Sequence, residues 1–223
     1  MATSNSTDFE LDVAEYIEEA YERCGLQSRT GYDLRTAKRS LNLMLSEWAN
    51  RGLNQWTIEQ RTQTVTANDT EYDLGTDVID ILSAAVRRSS VDYSLSRISR
   101  DSYLAIANKT TTGRPTQFFL DRHITPNLKI WPAPENSTDV IYYDALTRIQ
   151  DADTAVNTLE VPFRFYPCLT AWLAYYLSLK KAPERVQMLK VIYEEEFERA
   201  AAEDRDRASL SLTPSRDYYT FIS

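Results

Sequence analysis

The sequence predicts a mainly α protein with a β-rich insertion: a four-helix bundle core carrying a small antiparallel β-sheet or arm. Three observations lead there. Near both ends of the 223-residue chain, apolar residues recur at three- and four-residue steps, the period of a half-buried helix. In the middle the pattern changes to short runs rich in Thr and β-branched residues, punctuated by turn signals. The helical period then returns and holds almost to the end. The expected division is a helical bundle from residues 8–52 and 162–207, a β-rich insertion with one short helix from 53–161, and a C-terminal partner-binding tail from 208–223.

The first helix places Phe9, Val13, Tyr16, Ile17, Ala20, Tyr21 and Cys24 on one face. Ser6 or Thr7 can cap its start, and Gly25 fits its stop. Its other face carries Asp8, Glu10, Asp12, Glu15, Glu18, Glu19 and Glu22, with no base before Arg23. That is either a solvated face or an acidic surface turned toward a neighbouring subunit or a DNA channel. The second helix runs from about Tyr32 to Arg51 on a stripe of Leu34, Ala37, Leu41, Leu45 and Trp48, with Met44 beside it and Gly52 as terminator. The short loop between the two helices implies an antiparallel pair.

Residues 54–74, NQWTIEQRTQTVTANDTEYDL, read as a β-hairpin or two extended arms with a turn at Asn68–Asp69. Residues 77–88, DVIDILSAAVRR, read as a strand, with a helix as the alternative. Ser99 to Lys109 reads as a short helix. Thr116–Arg122 and Asn127–Trp131 should pair across the His123–Pro126 turn. A third strand, Thr138–Ile149, would complete a small antiparallel sheet. The third long helix, from Phe163 to about Lys181, follows Pro162 and is apolar nearly all round, so it should lie between the others. The fourth, from Pro183 to about Arg207, turns Val186, Leu189, Tyr193, Phe197 and Ala200 inward and most of its acids outward. The tail ends in Tyr218, Tyr219, Phe221 and Ile222, which either anchor a partner or fold back on the chain's own core.

Composition narrows the function. Acids outnumber bases 33 to 25, for a net charge of −8, which argues against a protein that grips nucleic acid through a basic surface. The bases that stand together, Arg87, Arg88, Arg97, Arg100, Lys109, Arg114 and Arg122, lie in the central segment. A nucleic-acid-binding regulatory protein using that segment is the alternative function. Five glycines leave little material for phosphate loops. Cys24 and Cys168, far apart among apolar residues, are expected to be buried free thiols. The single histidine, His123, is the sole candidate for Ser–His–Asp or Cys–His chemistry, and it lies in a turn. A small enzyme would need a polar pocket around it. Asp151–Glu160 loosely matches a calcium loop, but Ala155 and Val156 stand where a ligand and a glycine are needed. No catalytic residue, cofactor or metal site is expected. MATSNSTDFELD has neither a basic start nor an apolar core, so no signal peptide is expected. The longest apolar stretch, Cys168–Leu179, is too short for a membrane span of roughly 20 residues. An assembly protein fits better than an enzyme.

The ordered set of motifs carries a resemblance. LNLMLSEWANRGLNQW (41–56) ends the second helix. EYDLGTDVIDIL (71–82), ISRDSYLAIANKTTTGRPTQFFLDR (98–122), LKIWPAPE (128–135), DVIYYDALTRIQD (139–151) and LEVPFRFYPCLTAWLAYYLSLK (159–180) follow, and then a long charged helix. From Asp8 to Arg207 this resembles the head-to-tail adaptor (connector, or tail accessory factor) family of tailed bacteriophages, podovirus type. The resemblance implies a structural virion protein, made in the host bacterial cytoplasm and placed at the head–tail neck. Twelve copies would form a ring beneath the portal protein, continue the DNA channel and seat the tail nozzle protein. Passing double-stranded DNA would not be bound specifically, and no membrane would be involved. Carried onto this chain, Tyr218, Tyr219, Phe221 and Ile222 become the portal-docking candidates. Glu194, Glu195, Glu198 and Asp204 of the last helix become candidates to line the channel. Gly113, Pro115, Trp131, Pro132 and Pro134 become stiffening residues at the two ends of the hairpin, since proline fixes φ and removes a donor.

Overall fold

The computed structural model describes residues 11–27, 30–49, 51, 55–154 and 156–204. Among them are five α-helices and ten strands in three sheets. The expected mainly α protein with a four-helix-bundle core is therefore corrected to a mixed α and β architecture with two hydrophobic cores. One core is helical and the other lies between sheets.

Helix α1 (Val13–Arg23) begins at Asp12, later than the Ser6 or Thr7 start expected from the sequence. Asp12 and Glu15 form a reciprocal cap: the Glu15 N–H donates to Asp12 Oδ1 at 2.8 Å, and the Asp12 N–H donates to Glu15 Oε2 at 2.9 Å. At the other end the Gly25 N–H donates to the Glu22 carbonyl and the Leu26 N–H to the Tyr21 carbonyl, at 2.7 and 2.9 Å. This double closure requires a left-handed residue, and Gly25 supplies it with φ of +70°. The Arg185 guanidinium covers Gly25 and donates to the Arg23 carbonyl at 3.1 Å. Helix α2 (Gly31–Ala49) then returns antiparallel; Gly52, its expected terminator, lies outside the described residues.

The chain crosses to the β part through strand β1 (Ile58–Thr64). Next come β2 (Glu71–Asp73), β3 (Val78–Arg88), β4 (Val91–Ser94), β5 (Ser96–Arg97) and the short helix α3 (Arg100–Leu104). Strands β6 (Thr112–Gly113), β7 (Gln117–Asp121), β8 (Asn127–Trp131), β9 (Ala133–Pro134) and β10 (Val140–Thr147) complete the set. The alternative of a helix over 77–88 is excluded by the eleven-residue β3. The expected β7–β8 hairpin forms, in the register Gln117 to Trp131. Two other expected pairings are corrected. β1 and β2 do not pair with each other, and β10 does not join the hairpin. Instead one sheet has the order β1-β10-β3-β4 and the other β2-β8-β7-β5, while β6 and β9 form a short parallel ribbon. The reason is burial. β8 and most of β10 alternate buried and half-exposed residues, and their inward sets face each other. Val78, Ile81, Val86, Ile141, Tyr143 and Ala145 of the first sheet meet Tyr72, Phe118, Leu120, Leu128 and Ile130 of the second in a single cluster.

The chain returns through residues 148–161 to α4 (Tyr166–Lys181) and α5 (Val186–Glu203), each preceded by a 3-10 turn. α4 is buried on nearly all sides, as its composition required. α1, α2 and α5 all pack on it. The stretch before α4 is irregular, so side chains and neighbouring backbone supply its hydrogen bonds. Asn42 clasps the Ala152 backbone from both sides, at 2.9 and 3.3 Å. Lys38 Nζ donates to the Asp153 carbonyl at 2.6 Å, and the Val13 N–H to the Asn157 carbonyl at 3.0 Å.

Gly25→Ala should destabilise the protein by about 1–2 kcal/mol, because an L side chain is strained at this φ and its Cβ would stand 2.6 Å from the Arg185 guanidinium. In thermal unfolding followed by circular dichroism, the midpoint should fall by about 2–8 °C. An unchanged midpoint would mean that the helix end relaxes freely.

Candidate functional site

A side chain offered to a partner must first be free of its own chain, and the acids of α5 divide on that criterion. Glu195 and Glu198, three residues apart, share an exposed face. Glu194 turns partly inward, with its carboxylate 3.5 Å from the Arg51 guanidinium. Asp204 is turned in completely: its side chain is 4% exposed, paired with Arg164, and accepts the Gln55 N–H at 3.0 Å. It ties the end of α5 to the starts of β1 and α4, and that leaves no free carboxylate there for a channel wall. Of the four residues singled out on α5, the structure therefore presents two together outward and holds two against the chain. Upstream on the helix, Met188, Val191 and Ile192 are exposed.

Glu194 reaches a residue that the sequence reasoning passed over. The Arg51 guanidinium sits 4.8 Å from the Trp172 ring centre, 4.9 Å from Phe197 and 5.2 Å from Tyr193, and it donates to Glu47 at 3.0 Å and to the Tyr193 hydroxyl. Trp172 stacks on Tyr193 at 5.0 Å and tilts against Trp48 at 5.0 Å. A cation spread over three rings is held by the ring quadrupoles as well as by its carboxylates. The signal lay in the sequence as Trp48-x-x-Arg51, one helical turn apart. Burial raises the pKa of the neighbouring Tyr176 hydroxyl, and its hydrogen bond to Glu47 raises it further, to about 12.

Tyr218, Tyr219, Phe221 and Ile222 lie outside the described residues. The five stiffening candidates are brought together. Gly113 pairs with Pro134 and Thr112 with Ala133 in the β6–β9 ribbon, and Pro132 lies against Gly113. Pro115 is buried, and the Trp131 indole N–H donates to the Asn108 carbonyl at 3.0 Å. The carbonyl of Pro134 accepts the Asn68 N–H at 2.8 Å, and the carbonyl of Trp131 accepts the Thr116 N–H at 3.0 Å.

The central bases are largely spent within the chain. Arg87 pairs with Asp92, Arg88 with Asp139 and Glu135, Arg97 and Arg122 with Asp80, and Arg100 with Asp121. Arg114 lies 3.7 Å from the Tyr93 ring centre, and Lys109 donates to the Leu104 and Ile106 carbonyls. Bases consumed in this way have little left for phosphates.

His123 is two-thirds exposed in the β7–β8 turn, 3.3 Å from the Asp121 carboxylate that Arg100 also holds. Both cysteines are free and buried, and burial pushes the Cys168 thiol up to about 12, far from the thiolate a nucleophile needs. Among the described residues there is no group of three or more His, Cys, Asp and Glu that could hold a metal ion, and no helix long and apolar enough to cross a membrane.

The profile of the family described as SU10 adaptor protein matches residues 7–216, and the chain belongs to this family of phage head-to-tail adaptors. No curated protein matches it.

Two tests separate inward from outward acids. Asp204→Ala should cost roughly 2–3 kcal/mol in urea unfolding, below the full loss for a buried pair because Arg164 is about a third exposed. Glu198→Ala should cost about 0.5 kcal/mol or less. Equal effects would refute the division. Arg61 beside Asp77, at 2.5 Å, holds that carboxyl below its ordinary value. A depressed carboxylate adds stability above its unfolded pKa of about 3.9, and this is lost as pH falls through the lower folded value. Between about pH 5 and 2 the wild type should therefore lose more stability than Arg61→Met; parallel curves would deny the pair this role.

Proposed function

We propose that the chain is a structural virion protein, a ring-forming adaptor that joins the portal to the tail nozzle and continues the DNA channel at the head–tail neck. The observation that carries this proposal is membership of the adaptor family across residues 7–216. The ring would hold twelve copies, as the family resemblance implies. The work is mechanical: contacts between copies close the ring, the tail segment with Tyr218, Tyr219, Phe221 and Ile222 engages the portal, and DNA passes without being gripped. Glu195 and Glu198 suit a channel wall, because exposed carboxylates repel phosphates and hold no counter-charge against a sliding duplex. The stiff Gly113–Pro134 region serves as architecture. A nucleic-acid-binding regulator draws little support, since the central arginines are paired with the chain's own carboxylates.

The proposal is tested by co-sedimentation of the full chain, and of a chain ending after Ser209, with portal rings from the same phage. Binding of the full chain in a ring-like ratio, with loss in the shortened one, supports both the adaptor and the tail contact. Binding of both moves the contact to the folded body. Binding of neither removes the portal from the account. In particles that do assemble, Glu195→Lys with Glu198→Lys should slow DNA ejection. An unchanged ejection rate would take these residues off the channel wall.

A further inference from the structure

Two exposed helix faces of this chain match each other in spacing and oppose each other in character. On α1 the face runs Leu11, Glu15, Glu19, Glu22, in steps of four, four and three, with Glu18 alongside. With Arg23 of the same helix and Tyr166, Pro167 and Thr170 of α4 these residues line an open groove of about 480 Å³. Glu19 is paired with Arg23 at 2.8 Å and Glu15 accepts the Asp12 N–H through Oε2, so Glu18 and Glu22 are the carboxylates of this face with no side-chain partner among the described residues. On α2, read backwards, the face runs Leu43, Arg39, Arg35, Tyr32, again in steps of four, four and three. Tyr32 is 67% exposed and Leu43 60%, so both are available to a partner. Arg35 and Arg39 make no ion pair among the described residues, in contrast to most arginines of the β part.

We infer that the α2 face of one copy docks on the α1 groove of the next, so that this pairing is the contact between neighbouring subunits. The inference rests on the ring proposed above and names the surfaces that close it. Laid antiparallel, the faces put Leu43 on Leu11, Arg39 beside the Glu15 oxygen that the cap leaves free, Arg35 beside Glu18, and the Tyr32 hydroxyl on Glu22, while Glu19 stays with Arg23. The symmetry of a ring supplies this direction. Within one chain α1 and α2 run antiparallel, with the Tyr21 hydroxyl against the Asp33 carbonyl, so the faces stand at like heights and run in opposite directions. The ring axis is taken to run along these helices, and rotation about such an axis changes neither height nor direction. A neighbour therefore presents its α2 to α1 in the required sense. The two faces are different patches of one surface, which is the condition for a head-to-tail contact that closes into a ring. The opposite charges select the register, and the apolar ends provide the burial.

The test uses the full chain carrying Leu11→Cys and Leu43→Cys together. The native Cys24 and Cys168 are buried and do not compete. Under mild oxidation, with and without portal rings, the double variant should give a ladder of covalent multimers. Either single variant should give none, since Leu11 and Leu43 meet only each other. Adding Arg35→Glu with Arg39→Glu should lower the ladder yield about tenfold, and adding Glu18→Arg with Glu22→Arg, which leaves the Arg23–Glu19 pair and the Asp12–Glu15 cap in place, should do the same. Combining both reversals should restore it to within about twofold. These surface changes should leave the circular dichroism spectrum unchanged. No ladder in either condition overturns the inference. A ladder that is indifferent to the reversals, or reversals that fail to rescue each other, also overturns it. If the chain co-sediments with portal but gives no ladder, the adaptor stands and this interface falls. If a ladder forms while the portal is not bound, the interface stands and the portal reading falls.

Discussion

The antiparallel pairing of β1 with β10 is the contact on which the rest of the molecule depends. It sets Ile58 opposite Leu146 and Thr64 opposite Val140, so the chain that leaves the helical core returns beside its own point of departure. The buried Thr147 hydroxyl donates to the Thr57 carbonyl at 2.9 Å and closes the base of the excursion. With the base closed, Trp56 on one side and Phe165 on the other come within 4.6 Å, and the second pair of helices can pack on the first. Without that closure, α1–α2 and α4–α5 would be separate half-cores, each with an apolar face in water. Joining them costs loop-closure entropy that grows only slowly with length, so a long excursion is tolerable once a sheet rewards it.

That dependence also explains where sequence reading failed. Helices are local. The stripes of α1 and α2, the all-apolar α4 and the inward set of α5 were legible because each rests on residues within one or two turns. Strands were legible one at a time, as Thr-rich or alternating runs, and the β7–β8 hairpin was found because its partners are adjacent in sequence. The other pairings were not, because Ile58 and Leu146 carry no mark of each other. Counting strands without their partners made the β part look like a small appendage, when it holds two four-stranded sheets and a core of its own. The same limit applied to side chains. Asp204 looked like its exposed acidic neighbours, and only the return of Arg164 to its side turned it into an internal clamp.

Charge tells a related story. The central arginines read as a basic patch because their partners, Asp80, Asp92, Asp121 and Asp139, are scattered along the segment. Folding gathers them, and the patch is largely neutralised. Asp139 shows how far this goes: it is 1% exposed, yet Arg88 meets it through Nε and Nη2 at 2.6–3.1 Å, and a carboxylate so buried needs such a partner. Ion pairs of this kind add register to the sheets more than they add stability.

An internally neutralised β part leaves the net charge of −8 to be expressed elsewhere. Much of it falls on the helical half, on α1 through Glu15, Glu18, Glu19 and Glu22 and on α5 through Glu195 and Glu198. These helices lie on the shell around α4, so their acids face outward by construction. The cations that escape internal pairing include Arg35 and Arg39, on a third helix of the same shell. On the interface inferred above, copies would repel one another where acid meets acid and attract where α2 meets α1. Selectivity of that kind comes as much from the repelled orientations as from the favoured one. The β part pairs most of its arginines with its own carboxylates, so it leaves less unpaired charge to direct assembly than the helical half does.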